Sequence, residues 1–380
     1  MNFKLSEEHQ MIQQSAREFA QTELLPGVIE RDINSKFDPV LRKKMGEMGF
    51  MGMMVDPAYG GGGMDTLSYV LALEEISRVD ASAGVIMSVN NSLVCYGLNA
   101  FGTHEQKEKY LKPLATGEKL GCFGLSEPEA GSDATSQKTI AEDKGDHYLI
   151  NGTKNWITNG ETSDIALVIA QTDKSKGHKG INVVIAEKSY PGFSTGVKED
   201  KLGIRASDTT SLLFTDCKVP KENRIAEDGF GFKFAMKTLA GGRIGIAAQA
   251  LGIAQGAYDA ALKYSKERQT FGKPICEHQA IAFMLADMAT QIKAARLLVY
   301  QSAWEKDGGM DYSESSAMAK LFASEVAMKV TTQAVQIHGG YGYVREYHVE
   351  RMMRDAKITE IYEGTSEIQR IVISRSVLSK

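Results

Sequence analysis

A chain of 380 residues is long enough for two or three folded units with sizeable cores, which excludes a small disulfide-stapled module. Lys and Arg number 44 against 48 Asp and Glu, a net charge of −4 without blocks of like charge, so neither nucleic acid nor a membrane surface is an expected partner. Hydrophobic residues at 43% and charged ones at 24% suit an aqueous protein, and no stretch approaches the roughly twenty apolar residues of a membrane span.

The opening Met1-Asn-Phe-Lys-Leu-Ser6 turns at once into an amphipathic pattern, without the apolar core of a signal peptide or an Arg-rich transit segment, so the expected location is the cytoplasm, or an organelle for an already processed form. From Ser6 to about Gly121 the spacing is helical, with Ser6-Glu-Glu-His9 as a start and Met11, Ile12, Ala16 and Phe19 on one stripe. Pro57-Ala-Tyr-Gly-Gly-Gly-Gly63 interrupts this run; no strand precedes it and no Gly-Lys-Ser/Thr follows, so it reads as a flexible turn rather than a phosphate loop. His104 and Glu108 read as a helical i,i+4 pair. Cys95, Cys122, Cys217 and Cys276 are far apart, the histidines are scattered, and no metal is expected.

Between about Cys122 and Asp216 the period changes to short strand-like runs: Tyr148-Leu-Ile150, Trp156-Ile-Thr158, Ile165-Ala-Leu-Val-Ile169, Ile181-Asn-Val-Val-Ile185 and Leu212-Leu-Phe214. Asn151-Gly152 signals a hairpin, and strands without intervening helices imply an antiparallel sandwich or barrel. Gly192-Phe-Ser194-Thr-Gly196 matches a nucleophile elbow by accident, since Pro191 precedes it and charged residues follow. Gly229-Phe-Gly231 lacks the strand and third glycine of a dinucleotide fingerprint. Beyond Phe230 helices return, with stripes at Leu251, Ala254, Tyr258 and Leu262, and at Ile281, Met284, Leu285, Met288 and Ile292. The expected architecture is α+β and multidomain: a helical domain over 1–121, a β domain over 122–228 and a four-helix-bundle-like domain over 229–380.

In Ile361-Tyr-Glu363-Gly-Thr-Ser-Glu-Ile-Gln-Arg370, Ser366 and Gln369 suggest a capping box, which starts a helix just after Gly364 and leaves Glu363 in the preceding loop. A carboxylate held there against Tyr362 suits a general base, its pKa raised by burial. The residues alone nevertheless place a surface glutamate beside a cap ahead of that reading.

Four motifs together alter the balance: Phe123-Gly-Leu-Ser-Glu-Pro-Glu-Ala-Gly-Ser132-Asp; Trp156-Ile-Thr-Asn-Gly160; Glu267-Arg-Gln-Thr-Phe-Gly272; and Gln336-Ile-His-Gly-Gly340 with Arg354-Asp-Ala-Lys357 and Tyr362-Glu-Gly-Thr365. In this order the chain resembles the acyl-CoA dehydrogenase family over its whole length, most closely its short-chain (butyryl-CoA) members. The resemblance implies FAD, an acyl-CoA thioester substrate, electron-transfer flavoprotein as partner, and a homotetramer built as a dimer of dimers. It makes Glu363 the base that removes the α-proton while the β-hydride goes to the flavin. It assigns Phe123, Leu125, Ser126, Trp156, Ile157 and Thr158 to the flavin side. It assigns Arg268, Thr270, Phe271, Gln279, Gln336, Gly339, Gly340, Thr365 and Glu367 to the rest of the cofactor, in part across a subunit boundary.

The same resemblance places Ser132, Phe232, Met236, Leu239, Gly242, Arg243, Tyr362 and Gly364 along the substrate, although Phe232, Met236 and Leu239 read equally well as helix core. Position 242 is glycine where some relatives carry the base, so Glu363 has no rival. Arg78 is the last basic residue before His104, which disfavours a dicarboxylic substrate. A branched short-chain substrate, an acyl-CoA oxidase and a non-catalytic acyl-CoA-binding flavoprotein stay open.

Overall fold

The structure is a computed structural model describing residues 4–379; Met1–Phe3 of the opening segment, and Lys380, lie outside the described residues. Helix α1 (Glu7–Phe19) starts where Ser6 accepts the His9 N–H at 3.1 Å. It is followed by α2 (Val28–Ile33), α3 (Pro39–Glu47), α4 (Thr66–Val79), α5 (Ala81–Ser88), α6 (Tyr96–Phe101), α7 (His104–Gln106) and α8 (Lys112–Ala115). Asp38, Asp65 and Asp80 cap α3, α4 and α5 through their carboxylates. A π-helical stretch, Val89–Cys95, joins α5 to α6.

The glycine run is not a flexible turn. Gly62, Gly63 and Met64 donate backbone hydrogen bonds to Gly52, Val55 and Met53 at 2.8–2.9 Å. A Cβ at Gly61 would meet the Val55 carbonyl oxygen at 2.2 Å, so close backbone packing explains that glycine. His104 bonds the Tyr59 hydroxyl and Glu108 pairs with Lys112, so the expected His104–Glu108 pair is replaced by two other contacts.

The middle of the chain forms one seven-stranded curled sheet of β1 (Gly121–Gly124), β2 (Ile140–Asp143), β3 (His147–Thr158), β4 (Ile165–Gln171), β5 (Ile181–Glu187), β6 (Phe193–Thr195) and β7 (Thr209–Pro220). The order is β1-β4-β2-β3-β7-β6, with β5 on β4; β1–β4 and β2–β4 are parallel and the other pairings antiparallel. Asn151-Gly152 makes no hairpin. β3 runs straight through it, Gly152 takes φ 147° at a register shift, and a Cβ there would lie 2.6 Å from the Thr139 hydroxyl. Ser194 lies within β6, so no nucleophile elbow forms. β4 and β5 are buried on both faces: Ile165, Leu167 and Ile169 join the helical core, while Ala166 and Val168 join the core inside the sheet.

The last part consists of α9 (Gly231–Glu267), a small hairpin of β8 (Gln269–Thr270) and β9 (Lys273–Pro274), α10 (Gln279–Asp307), α11 (Ser313–His338), α12 (His348–Ile358) and α13 (Ser366–Leu378). Leu285, Met288 and Ile292 of the anticipated stripe are buried, and Ile281 and Met284 half-buried. α4 packs tightly along α9, because glycines bring the two backbones together: a Cβ at Gly252 or Gly256 would lie 2.3 or 2.2 Å from the Glu74 or Arg78 carbonyl oxygen. Among the described residues, all four cysteines are free thiols, and no helix is long and apolar enough to cross a membrane.

Overpacking this seam is the sharpest test of the fold. Gly252→Val should cost about 3 kcal/mol and lower the thermal midpoint by several degrees. Gly131→Ala, where a Cβ meets nothing within 4 Å, should stay within about 0.5 kcal/mol of the parent in the same melt.

Candidate functional site

α12 ends at Ile358 and α13 begins at Ser366, with Glu363 in the short connection. The cap is Thr365, whose hydroxyl accepts the Ile368 N–H at 3.3 Å, one residue before the expected Ser366. Gln369 is therefore not half of a capping box. Its side-chain amide donates to the Gly364 carbonyl at 2.8 Å. Glu363 (φ 52°) and Gly364 (φ 94°) are both left-handed, a conformation that costs a non-glycine residue about 1–2 kcal/mol. The surroundings hold it. Lys320 donates to the Gly364 carbonyl at 2.6 Å, the Ser366 N–H to Glu360 at 2.9 Å, and the Tyr362 hydroxyl to Gln249, whose amide reaches Ala81 at 2.8 Å.

This turn lays the Glu363 side chain across α9. A Cβ at Gly242 would come within 2.2 Å of Glu363 Oε2 and 2.9 Å of Leu93 Cδ2, so position 242 has room only for hydrogen while the carboxylate is there. Oε2 is sealed from solvent and has no hydrogen-bond partner. Burial pushes the Glu363 carboxyl up to about 7, against the opposing pull of Lys320 and Arg243. Arg243 is itself buried, its Nε unpartnered, and burial lowers its pKa. Below the turn, Tyr69 donates to Ser88 at 3.0 Å, and both hydroxyls press on Gly245, where a Cβ would meet each at 2.7 Å.

A second group lies on the sheet. Phe123 and Leu125 are buried at the end of β1, and the Phe123 ring stacks on Phe234 of α9 with centroids 6.5 Å apart. The Ser126 carbonyl accepts the Asn155 N–H at 2.8 Å. At the bulge in β3, Trp156 takes φ 61° and presents a 62% exposed side chain, with Thr158 half-buried beside it. Ile157 departs from expectation: its side chain is buried in the sheet core, because alternation along β3 turns it away from Trp156. Ser132 is exposed on the loop leading to β2.

A third group surrounds a cavity of about 700 Å³ lined by Arg268, Thr270, Gly339 and Gly340 with Tyr264, His338 and Tyr341. The Arg268 guanidinium sits 5.7 Å over the Tyr341 ring, and a Cβ at either glycine would meet nothing within 4 Å. Phe271, left-handed and 96% exposed, stands edge-on to His278. Gln279, Gln336 and Glu367 are exposed, while Thr365 is committed to its cap. Neither Trp156 nor Glu363 lines this cavity, so one chain leaves the second and third groups unconnected. Phe232, Met236 and Leu239 are half-buried along α9 and pack against the helical core, which partly upholds the core reading.

The sequence reading missed Lys154, Glu127 and Lys320, and gave Gln369 a capping role in place of its bond to Gly364. Lys154 is wholly buried and bonds Glu127 at 2.6 Å, the Leu125 carbonyl at 3.1 Å and Gln137 at 3.1 Å. Glu127 also accepts the Thr139 N–H at 3.0 Å, so this one pair ties the loop after β1 to β3. Burial lowers the Lys154 amine to about 8, with Glu127 opposing the shift. The signal for Lys320 is positional: it lies four residues after buried Ser316 and three before buried Ala323, on the apolar face of α11.

Helical ends enclosing a curled sheet, with an unpartnered, solvent-sealed carboxyl oxygen on one side and an exposed indole on the other, point to an enzyme. Comparison with known proteins identifies the kind. The acyl-CoA dehydrogenase N-terminal, middle and C-terminal domain models match residues 6–118, 122–217 and 229–378. The chain belongs to the acyl-CoA dehydrogenase family. It is 54% identical over 377 residues to the short-chain specific acyl-CoA dehydrogenase of Clostridium acetobutylicum, covering 99% of this chain and 100% of that one. Butyryl-CoA dehydrogenase from Megasphaera elsdenii superposes with a TM-score of 0.98 at 51% identity, covering 100% of both chains. A chain solved in work on the electron transferring flavoprotein of Acidaminococcus fermentans superposes with a TM-score of 0.99 at 56% identity, again covering 100% of both chains.

The buried pair in the sheet makes a further prediction. Glu127→Ala leaves the Lys154 ammonium without its carboxylate and should cost about 3–5 kcal/mol in urea denaturation, whereas Glu127→Leu combined with Lys154→Met should recover most of that loss.

Proposed function

We propose that the protein is an FAD-dependent dehydrogenase of short-chain acyl-CoA thioesters, acting as a cytoplasmic homotetramer and passing electrons to an electron-transfer flavoprotein. The observation that carries this reading is the Glu363 carboxyl, whose Oε2 is sealed from solvent without a hydrogen-bond partner and whose pKa burial pushes up to about 7. Its short-chain, butyryl-CoA-like substrate is supported by the names of the relatives at 54% and 51% identity.

The residues present fit FAD. An exposed indole on a left-handed backbone offers a face for a flat ring, and an arginine beside two open glycines offers a place for a pyrophosphate. Trp156, Thr158, Phe123, Leu125 and Ser126 would hold the ring system, with Ile157 contributing through its backbone alone. Arg268, Thr270, Phe271, Gln279, Gln336, Gly339 and Gly340, from a second copy, would hold the remainder with Thr365 and Glu367. Bound FAD supplies a hydride acceptor. Exposed Phe271 on the hairpin, and Phe283, Leu297 and Trp304 at multiples of seven residues along α10, are the apolar surface that further copies would cover.

The chain's own residues do the acid–base work. Phe232, Met236, Leu239, Arg243 and Ser132 flank the thioester's long arm and bring its α-carbon to Glu363. The carboxylate takes the α-proton, and the charge developing on the carbonyl oxygen is met by the Glu363 N–H. Gly242 lets the carboxylate lie close against α9, and burial there raises its basicity. Gly245, Tyr69 and Ser88 close the packing beneath, consistent with a short acyl chain. A methylene changes discrimination by only about 1–3 kcal/mol, so neighbouring chain lengths should react more slowly rather than not at all.

Anaerobic addition of butyryl-CoA should bleach the flavin rapidly, ahead of octanoyl- and glutaryl-CoA. Because the carboxylate is the active form and its pKa lies at about 7, the rate should rise as pH increases through that value. Glu363→Gln should retain flavin and thioester binding while reducing about 10²–10⁴-fold more slowly; parent-like bleaching in this variant would sink the proposal. In a separate assay, Arg268→Ala should release flavin on dilution and shift the assembly toward smaller species in sedimentation, whereas a fully flavinated tetramer would rule out a contact that crosses subunits.

A further inference from the structure

Lys320 lies wholly buried in the middle of α11, among Ser316, Ala317, Ala323 and Ser324. Its ammonium makes one hydrogen bond, 2.6 Å to the Gly364 carbonyl, and among the described residues no carboxylate comes within ion-pair distance. An ammonium in that position is among the most expensive things a fold can bury, and a methionine would fill the same space without the charge. The carbonyl it contacts is already held by the Gln369 amide at 2.8 Å. The turn thus has a neutral clamp and, beside it, a second one whose distinguishing property is positive charge.

We propose that Lys320 is a positioning residue for the base: it fixes the Glu363–Gly364 turn through the Gly364 carbonyl and, by its charge, sets the pH at which Glu363 becomes a carboxylate. This rests on the reading of Glu363 as the base. The groups around the pair come from several elements. Glu360 and Glu367 on the flanking turn and α13, with Arg243 on α9, act on Lys320; Arg243 also acts on Glu363, whose charge is felt by Tyr362 and by Tyr69 of α4. Burial lowers the lysine and raises the carboxyl, and each is the largest influence opposing the other's shift. A carboxyl acquires a higher pKa when a neighbouring cation is removed.

The test uses the full-length, flavin-loaded protein and three variants. Lys320→Gln retains a donor without charge, Lys320→Met retains neither, and Lys320→Arg retains both. The protonated carboxyl of Glu363 is titrated by difference infrared spectroscopy, its band assigned with Glu363→Gln, and the flavin-reduction rate with saturating butyryl-CoA is followed across pH. Lys320→Gln and Lys320→Met should move both midpoints upward by about one pH unit, roughly a tenfold rate loss on the acid side, with little change on the alkaline plateau; Lys320→Arg should leave both near the parent. Unmoved midpoints in the uncharged variants, or equal shifts in all three, would overturn the proposal. If Lys320→Met does not fold, Lys320→Gln decides it alone. Failure of parent protein to reduce flavin with any thioester would instead strike the dehydrogenase reading, while the infrared midpoint still reports on Lys320.

Discussion

The molecule is organised around a carboxyl group turned into the protein, with one of its oxygens sealed from solvent. Glu363 has to be turned inward, and inward means a left-handed backbone, a glycine after it, and a helix opposite with no side chain at the point of contact. None of these conditions is favourable in isolation. They hold because α9 supplies Gly242, α11 supplies Lys320, α13 supplies Gln369, and Tyr362 reaches through Gln249 to the start of α5. Strain in one turn is maintained by packing spread across the first and last thirds of the chain, which is how sparsely populated backbone persists at reactive sites.

The sheet contributes in a different way. Its central strands β4 and β5 are apolar on both faces, so it is built into the helical body while keeping a core of its own. The candidate site residues of the sheet lie at its irregularities rather than in its regular ladder. Trp156 stands where β3 bulges, and the loop after β1 is held by a buried lysine–glutamate pair in place of a hydrophobic plug. An ion pair of this kind adds little net stability over apolar packing but permits few alternative arrangements of the loop it ties down.

Much of this was legible in the sequence where periodicity or capping chemistry is local. The changes from helical to strand period, the Ser6 start of α1, the helix after Gly364 and the loop position of Glu363 all follow from neighbours within a few residues. Local signals also misled. Asn151-Gly152 looks like a hairpin because the dipeptide tolerates left-handed turns, but here the glycine is demanded by Thr139 across the sheet. The glycine run after Pro57 looks loose, yet it is packed against Val55. Ile157 falls on the wrong side of a strand whose alternation the motif alone does not reveal. The partners of Glu363 come from 43 and 120 residues away, at Lys320 and Arg243, and no pattern along the chain joins such positions before the helices are placed.

Helix α9 has one further consequence. Its 37 residues form a single rod of about 55 Å that carries Phe232, Met236 and Leu239 near its start, Gly242 under the carboxylate, and Gly252 and Gly256 against α4, and it ends beside Arg268. Every one of these contacts depends on rotational phase. Adding or deleting one residue between Gly242 and Gly256 would turn everything downstream by about 100°, carrying the glycines off α4 and bulky side chains onto it. Length in this segment is therefore frozen, and insertions that survive must fall in the connections, such as the loop after β1 or the turn between α10 and α11.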